Sequence, residues 1–202
     1  MEDVFRHIEE HQQEAIEDLV RLCRLPSVSA EGRAIEETAE LVSEMLQSLG
    51  FRTRILPKAG GQPVVYGELT GASTEKTLLF YNHYDVQPAE PLDLWSSPPF
   101  EPALRDDKLY GRGVCDNKGN IAARLAVIRA FQAVRGQVPL SLKFCIEGDE
   151  EIGSPGIEPF VEEQRQLLAA DACLWEGGGV NWQGQPQITL GAKGLLYLEL
   201  EA

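Results

Sequence analysis

The feature of this sequence that most limits its fold is the alternation of short apolar runs with segments of helical periodicity. Apolar residues recur at helical spacing in residues 2–24, 34–49, 119–134 and 156–169. Strand-like runs occupy residues 51–56, 63–69, 76–85, 139–148 and 171–176. Residues 86–108 are rich in Pro, Asp and Ser and predict a long loop, which in a compact domain is usually functional. Alternating strands and helices predict a layered α/β domain whose sheet is largely parallel.

Charge and size exclude several functional classes. The 202 residues carry 18 Lys and Arg against 32 Asp and Glu, a net charge of −14 that repels phosphate backbones and anionic membranes. We therefore expect neither nucleic-acid nor membrane partners. No apolar run approaches the ~20 residues that cross a bilayer, and the acidic start lacks the pattern of a secretory signal. Four scattered cysteines without a C-x-x-C pair are typical of reduced thiols, so we predict a cytoplasmic protein.

Histidine and acidic residues occur in four places at strand ends or in the loops that follow, where open α/β sheets bind ligands. The four are His83-Tyr84-Asp85, Asp116 within GRGVCDNKGN, the run Glu147-Gly148-Asp149-Glu150-Glu151, and Glu176 in LWEGGG. Singly, each has an ordinary explanation: a hydrogen-bonded surface histidine, a plain connector, a solvated acidic turn and a lone surface carboxylate. The glycine-rich segment also suggests a phosphate cradle, but its spacing fits neither nucleotide-binding pattern.

Together the four places indicate a metal site. Carboxylates that crowd the end of a buried strand repel one another unless a cation neutralises them. Histidine with several carboxylates supplies the nitrogen and oxygen ligands that suit zinc. Two metals that share a bridging carboxylate lie ~3.5–4 Å apart and activate water for hydrolysis, with one further carboxylate free as general base.

Five motifs resemble the zinc metallopeptidase family of acetylornithine deacetylase, succinyl-diaminopimelate desuccinylase, carboxypeptidase G and carnosine-type dipeptidases. They are YNHYDVQP, the Trp95–Phe100 segment, LYGRGVCDNKG, EGDEEIGS and WEGGG, in family order. HYDVQP and the Trp-Pro-Phe loop resemble its dipeptidase-like branch. The resemblance implies a three-layer α/β domain with a mostly parallel mixed sheet flanked by helices. It also implies hydrolysis of the amide bonds of dipeptides or N-acylated amino acids by metal-activated water.

The resemblance implies two zinc ions in a complete site and a role for each of four ligands. His83 and Glu176 would ligate the first zinc, and Glu151 would ligate the second. Asp116 would bridge both ions, with a cis peptide bond to Asn117. Because a carboxylate-rich site accepts several divalent ions, cobalt and manganese are alternatives to zinc.

Two further residues receive catalytic roles from the same resemblance. Glu150 would be the general base that deprotonates the attacking water and passes the proton to the leaving amine. Asp85 would be the carboxylate that tunes the histidine side of the site.

The sequence departs from the family pattern in its histidines. The family takes its last zinc ligand, a histidine, from far downstream, whereas this sequence contains only His7, His11 and His83. The family also inserts a lid that supplies substrate-binding residues and dimer contacts, and GAKGLLYLELEA resembles the entry to it. We therefore expect residues 1–190 to form the N-terminal part of a truncated catalytic domain and residues 191–202 to begin the lid. We also expect a homodimer for the full-length protein and impaired activity for these 202 residues alone.

Two other hypotheses stay open at this point. The missing downstream histidine is compatible with a non-catalytic metal-binding or partner-binding module. Alternatively, a second chain supplies the missing half of the site. Strand edges exposed where the sheet is cut also predict self-association.

Overall fold

The computed structural model describes residues 1–191, 194 and 198. Its helices are α1 (Glu2–Glu10), α2 (Gln12–Cys23), α3 (Ile35–Ser48), α4 (Lys118–Arg135), α5 (Ile157–Glu163) and α6 (Arg165–Leu168). Its strands are β1 (Arg52–Leu56), β2 (Val64–Leu69), β3 (Ser73–His83), β4 (Ala103–Arg105), β5 (Lys108–Tyr110), β6 (Leu140–Glu147) and β7 (Ala172–Trp175). Most of the predicted lid segment, residues 192–193, 195–197 and 199–202, lies outside the described residues.

Five of these strands form one mixed sheet in the order β1-β2-β6-β3-β7. β2 is antiparallel to both β1 and β6, whereas β3 is parallel to both β6 and β7. Four of the five strands therefore run in the same direction, and the predicted mostly parallel mixed sheet is confirmed.

Side-chain alternation along the strands produces two apolar layers. Phe80 on β3 and Phe144 on β6 pack on the sheet face that α2, α3 and α4 cover. Their neighbours Tyr81 and Cys145 point to the other face, which α5 and α6 cover. Because successive residues of a strand face opposite sides, each buried strand serves both layers. Helices on both faces give the predicted three-layer arrangement.

Two predicted elements differ from the structure. The helix predicted over residues 2–24 is two helices, interrupted at His11, which adopts φ −114° and ψ 19°. The predicted loop over residues 86–108 extends into a short antiparallel hairpin formed by β4 and β5. Both departures are local, and neither changes the layers. Within the described part of the chain, every helix is too short or too polar to cross a membrane.

Candidate metal centre

The carboxyl ends of three parallel strands bring the predicted site residues to one edge of the sheet. β3 ends at His83 and β6 at Glu147, and these two residues are paired in the sheet register. β7 ends at Trp175, directly before Glu176, and Asp116 lies in the loop before α4. Because parallel strands end at a common edge, residues far apart in sequence become neighbours there.

His83 lies at the centre of the cluster. Its side chain is buried, with Nε2 2.9 Å from Oδ1 of Asp116 and 3.7 Å from Oε2 of Glu150. Two groups of side chains could each hold a metal ion, because the potential ligand atoms within each group lie within 4.8 Å of one another. One group is His83, Glu150 and Glu176, and the other is His83, Asp116 and Glu151. One imidazole with several carboxylates in such groups fits a divalent metal such as zinc. The predicted base Glu150 is thus grouped with two predicted ligands.

Asp85 connects His83 to the turn that carries the acidic pair. Oδ1 of Asp85 lies 3.3 Å from Nδ1 of His83. The carboxylate also accepts hydrogen bonds from the backbone N–H of Glu150 at 3.1 Å and of Glu151 at 3.0 Å. A carboxylate beside the outer nitrogen of a ligating histidine fixes its ring orientation. Asp85 therefore connects the imidazole of His83 to the backbone of the turn that carries Glu150 and Glu151.

The backbone at the start of α4 is anchored by hydrogen bonds, whereas the carboxylate of Asp116 is exposed to solvent. The side chain of Asp116 is 69% exposed. The peptide bond from Asp116 to Asn117 is cis, as the resemblance implied. The next residue, Lys118, is buried and donates hydrogen bonds to the backbone oxygens of Leu22 at 2.9 Å and Leu25 at 2.7 Å. These contacts tie the loop to the end of α2.

The surrounding carboxylates set the charge of His83. Burial, the largest influence, lowers the pKa of His83, but the carboxylates of Asp85, Glu150 and Asp116 together outweigh it and raise this pKa to about 9. The imidazole of the metal-free protein is therefore mostly protonated at neutral pH.

The pKa values of the acidic side chains around His83 are also raised. Burial, reinforced by the neighbouring carboxylates of Glu176 and Glu151, raises the pKa of Glu150 to about 7 against the opposing effect of His83. Burial also raises the pKa values of Glu151 and Glu176. Carboxylates that burial makes hard to ionise become good ligands once a cation enters among them.

The acidic run after β6 divides into two pairs with different partners. Glu147 and Asp149 are buried and bind the buried ammonium of Lys58, whose Nζ lies 2.6 Å from Oε2 of Glu147. Glu150 and Glu151 belong to the ligand groups described above. The sequence alone treats the run as one set of carboxylates around a cation. Lys58 was missed because it follows β1, and no local pattern links it to the run.

Gln87 is a second contact that the sequence reasoning missed. Its Nε2 donates to Oε2 of Glu151 at 3.0 Å and to the backbone oxygen of Glu151 at 2.8 Å. Its place in the HYDVQP motif, next to the predicted ligand set, is the signal that could have found it.

The fold and this cluster define an α/β protein with a histidine–carboxylate site suited to divalent metal. The chain belongs to peptidase family M20/M25/M40, whose model matches residues 79–194. It is 32% identical to human Beta-Ala-His dipeptidase over 218 residues, which cover 100% of this chain and 43% of that protein. It is also 32% identical to the Cys-Gly metallodipeptidase of Candida albicans, over 99% of this chain and 45% of that protein.

Solved structures agree with this assignment. An M20 family metallo-carboxypeptidase from Sulfolobus solfataricus superimposes with a TM-score of 0.80 at 38% identity, over 86% of this chain and 39% of that one. Human carnosine dipeptidase 1 superimposes with a TM-score of 0.78 at 34% identity, over 86% of this chain and 40% of that one. The chain thus spans less than half the length of these relatives, and the predicted family is confirmed.

Proposed function

We propose that the protein is a metal-dependent hydrolase that cleaves the amide bond of small peptides, dipeptides above all. N-acylated amino acids are the alternative substrate class. The observation that carries the proposal is the meeting of one imidazole and several carboxylates within ligand distance at the sheet edge. The names of the similar proteins, Beta-Ala-His dipeptidase and Cys-Gly metallodipeptidase, support a dipeptide substrate.

The proposed ligands are His83 and Glu176 for one zinc, Glu151 for a second, and Asp116 between them. Their nitrogen and oxygen atoms suit zinc, with cobalt or manganese as substitutes. A divalent metal, when bound, polarises the scissile carbonyl and lowers the pKa of water. We propose that a complete site holds two zinc ions.

Glu150 is the proposed general base. Its carboxylate accepts a proton from the attacking water and then donates it to the nitrogen of the leaving amine. In the metal-free protein, burial raises the pKa of Glu150 to about 7, so this carboxyl group is already disposed to take up a proton near neutral pH. Asp85 is the proposed positioning partner, since it contacts His83 and the backbone of Glu150.

Further proposals concern the whole protein. Residues 1–190 are proposed to belong to the catalytic domain and residues 191–202 to begin a lid, with a homodimer as the assembly of the complete protein. A cytoplasmic location is also proposed, and it is supported by four free cysteines, which suit a reducing compartment.

The direct test is dipeptide hydrolysis by the complete protein that carries this sequence, with Glu150→Gln as the variant. Loss of the base is expected to lower turnover at least about 100-fold. Metal content should stay at the wild-type level, because His83, Asp116 and Glu176 remain. Glu158→Gln, at an exposed position of α5, is the matched control and should leave turnover unchanged.

Two results would count against the proposal. Unchanged turnover in Glu150→Gln would remove Glu150 from the mechanism. Metal-loaded protein that hydrolyses no dipeptide or N-acylated amino acid would instead support the non-catalytic metal-binding module.

A further inference from the structure

A buried guanidinium connects the ends of β3 and β7. Arg124 on α4 is 9% exposed, and its Nη1 donates to the backbone oxygen of Tyr81 at 2.8 Å and to Oδ1 of Asn82. Its Nη2 donates to the backbone oxygen of Glu176. Among the described residues Arg124 forms no ion pair with a carboxylate. Its guanidinium also lies over the ring of Phe80, 5.0 Å from the ring centroid. A buried cation bound to amide oxygens and an aromatic ring, without a carboxylate, is costly to desolvate, so its position calls for an explanation.

The guanidinium of Arg124 connects β3 and β7 at the point where the pairing of these two strands ends. The last pair of the β3–β7 ladder is Tyr81 with Trp175. One residue later, Arg124 bridges the backbone oxygen of Tyr81 to that of Glu176. Glu176 has a φ of +32°, a conformation that a residue with a side chain keeps only when its surroundings hold it. Arg124 is the contact that holds the backbone of this proposed ligand.

A second branch reaches the other side of the cluster through two asparagines. Asn82 accepts from Arg124 and donates through Nδ2 to Oδ1 of Asn117. The same oxygen of Asn117 accepts the backbone N–H of His83 at 3.4 Å. Asn117 directly follows Asp116. The hydrogen bonds from Arg124 therefore extend to the backbone next to three proposed ligands.

We propose that Arg124 is a positioning residue of the metal centre, which holds the backbones of the proposed ligands at ligand distance before metal arrives. This inference rests on the proposed metal-dependent function. A guanidinium suits the task because its two terminal nitrogens donate in one fixed plane to separate strand ends, whereas lysine has a single donor nitrogen on a flexible stem.

Metal affinity is the measurement that tests the inference. Loss of an outer contact that orients ligands costs about 10–100-fold in metal affinity, and that loss is expected for Zn²⁺ binding to Arg124→Met by calorimetry. Arg124→Lys keeps the charge without the fork and should lose at least about tenfold on the same grounds. It also carries the test if the methionine variant does not fold. Arg129→Met on the same helix, whose Nη2 pairs with Asp18 at 2.7 Å, is the control and should bind Zn²⁺ as wild type.

Two further readouts separate positioning from general stability. If Arg124 acts through Glu176, Arg124→Lys should weaken Zn²⁺ binding less in a Glu176→Gln background than in wild type. Amide exchange without metal should rise at residues 172–178 in Arg124→Lys and stay unchanged there in Arg129→Met.

The outcomes distinguish this inference from the proposed function. Wild-type affinity in both Arg124 variants would overturn the positioning role and leave the proposed function standing. A loss of the same size in the Glu176→Gln background, with unchanged amide exchange at residues 172–178, would overturn the branch through Glu176. A wild-type protein that binds no divalent metal would overturn both.

Discussion

At the scale of single residues, charge balance decides how the site is built. Of the four carboxylates at the end of β6 and directly after it, Glu147 and Asp149 bind the ammonium of Lys58 inside the protein. The remaining pair, Glu150 and Glu151, lies with His83 in the candidate metal-binding groups. The buried ammonium of Lys58 thus separates the carboxylates that it neutralises from those of the proposed metal centre.

Replacement of Lys58 tests this division. Lys58→Met leaves two buried carboxylates without their cation, and breaking a buried pair typically costs about 3–5 kcal/mol of unfolding free energy. The control is Lys76→Met, which removes the exposed ion pair with Asp171 and should change stability little. Urea denaturation compares them. Equal stability of the two variants would show that Lys58 is not needed to neutralise the pair.

The protonation of His83 makes metal binding depend on pH. Since its pKa is raised to about 9, the metal-free imidazole carries an extra proton at pH 7.5 that must leave before the nitrogen can bind metal. Affinity for Zn²⁺ should therefore rise as pH increases from about 6 to 9, with about one proton or more released per ion at pH 7.5. Calorimetry in buffers of different ionisation enthalpy measures this release. A binding heat independent of the buffer would contradict the assignment of His83.

At the scale of elements, α4 begins in close contact with the preceding loop, which carries Asp116. A Cβ added to Gly119 would lie 2.1 Å from the backbone oxygen of Val114, so no side chain fits there. Gly119 stands three residues after Asp116 in the first turn of α4. The glycine lets the helix begin directly against the loop that carries Asp116, a proposed ligand.

Gly119→Ala should separate the helix from this loop. We expect lower thermal stability and weaker metal binding, because the backbone oxygen of Val114 must move. Gly179→Ala is the control, since a Cβ at Gly179 would meet nothing within 4 Å. Thermal unfolding with and without Zn²⁺ measures both effects. Equal behaviour of the two variants would mean that the approach of α4 does not position Asp116.

The helices and strands also show which parts of the fold the sequence pattern can predict. Apolar periodicity predicts the buried elements well, as for β6, because each of its faces packs on a layer. It misses β4 and β5, which are only three residues long and expose part of their surface. The break at His11 was missed because the apolar pattern continues on both sides of it. The periodicity of apolar residues thus predicts helices and strands of the core but not short or exposed ones.

At the scale of the whole molecule, the described sheet has an open edge at β7. All four residues of β7 are exposed, with Leu174 at 48% and Trp175 at 63%. An exposed apolar edge strand is a template for pairing with another chain. This chain is therefore expected to associate with itself.

Light scattering over a concentration series tests the association. The apparent mass should rise with concentration, and Leu174→Glu should reduce that rise by placing a charge on the edge. Leu104→Glu, at a 59% exposed position of β4, is the control and should leave the association unchanged. A constant monomer mass at high concentration would contradict the prediction.

The candidate site was within reach of the sequence because strand ends and family motifs mark its positions. His83, Asp116, Glu150, Glu151 and Glu176 each lie in a motif, and parallel strands place motifs from distant segments at one edge. Lys58 and Arg124 were out of reach, because each acts through contacts with residues more than 40 positions away. Long-range burial of a cation leaves no local pattern in the sequence.

We propose that the edge of this sheet binds divalent metal through His83, Asp116 and the neighbouring glutamates. The most direct measurement is zinc content per chain after equilibrium dialysis, for wild type and for Asp116→Asn, with Asp93→Asn as a control on the exposed loop. We expect at least one zinc per chain in wild type and in the control, and a marked loss in Asp116→Asn. No zinc in the wild-type protein, or equal zinc in Asp116→Asn, would contradict this proposal.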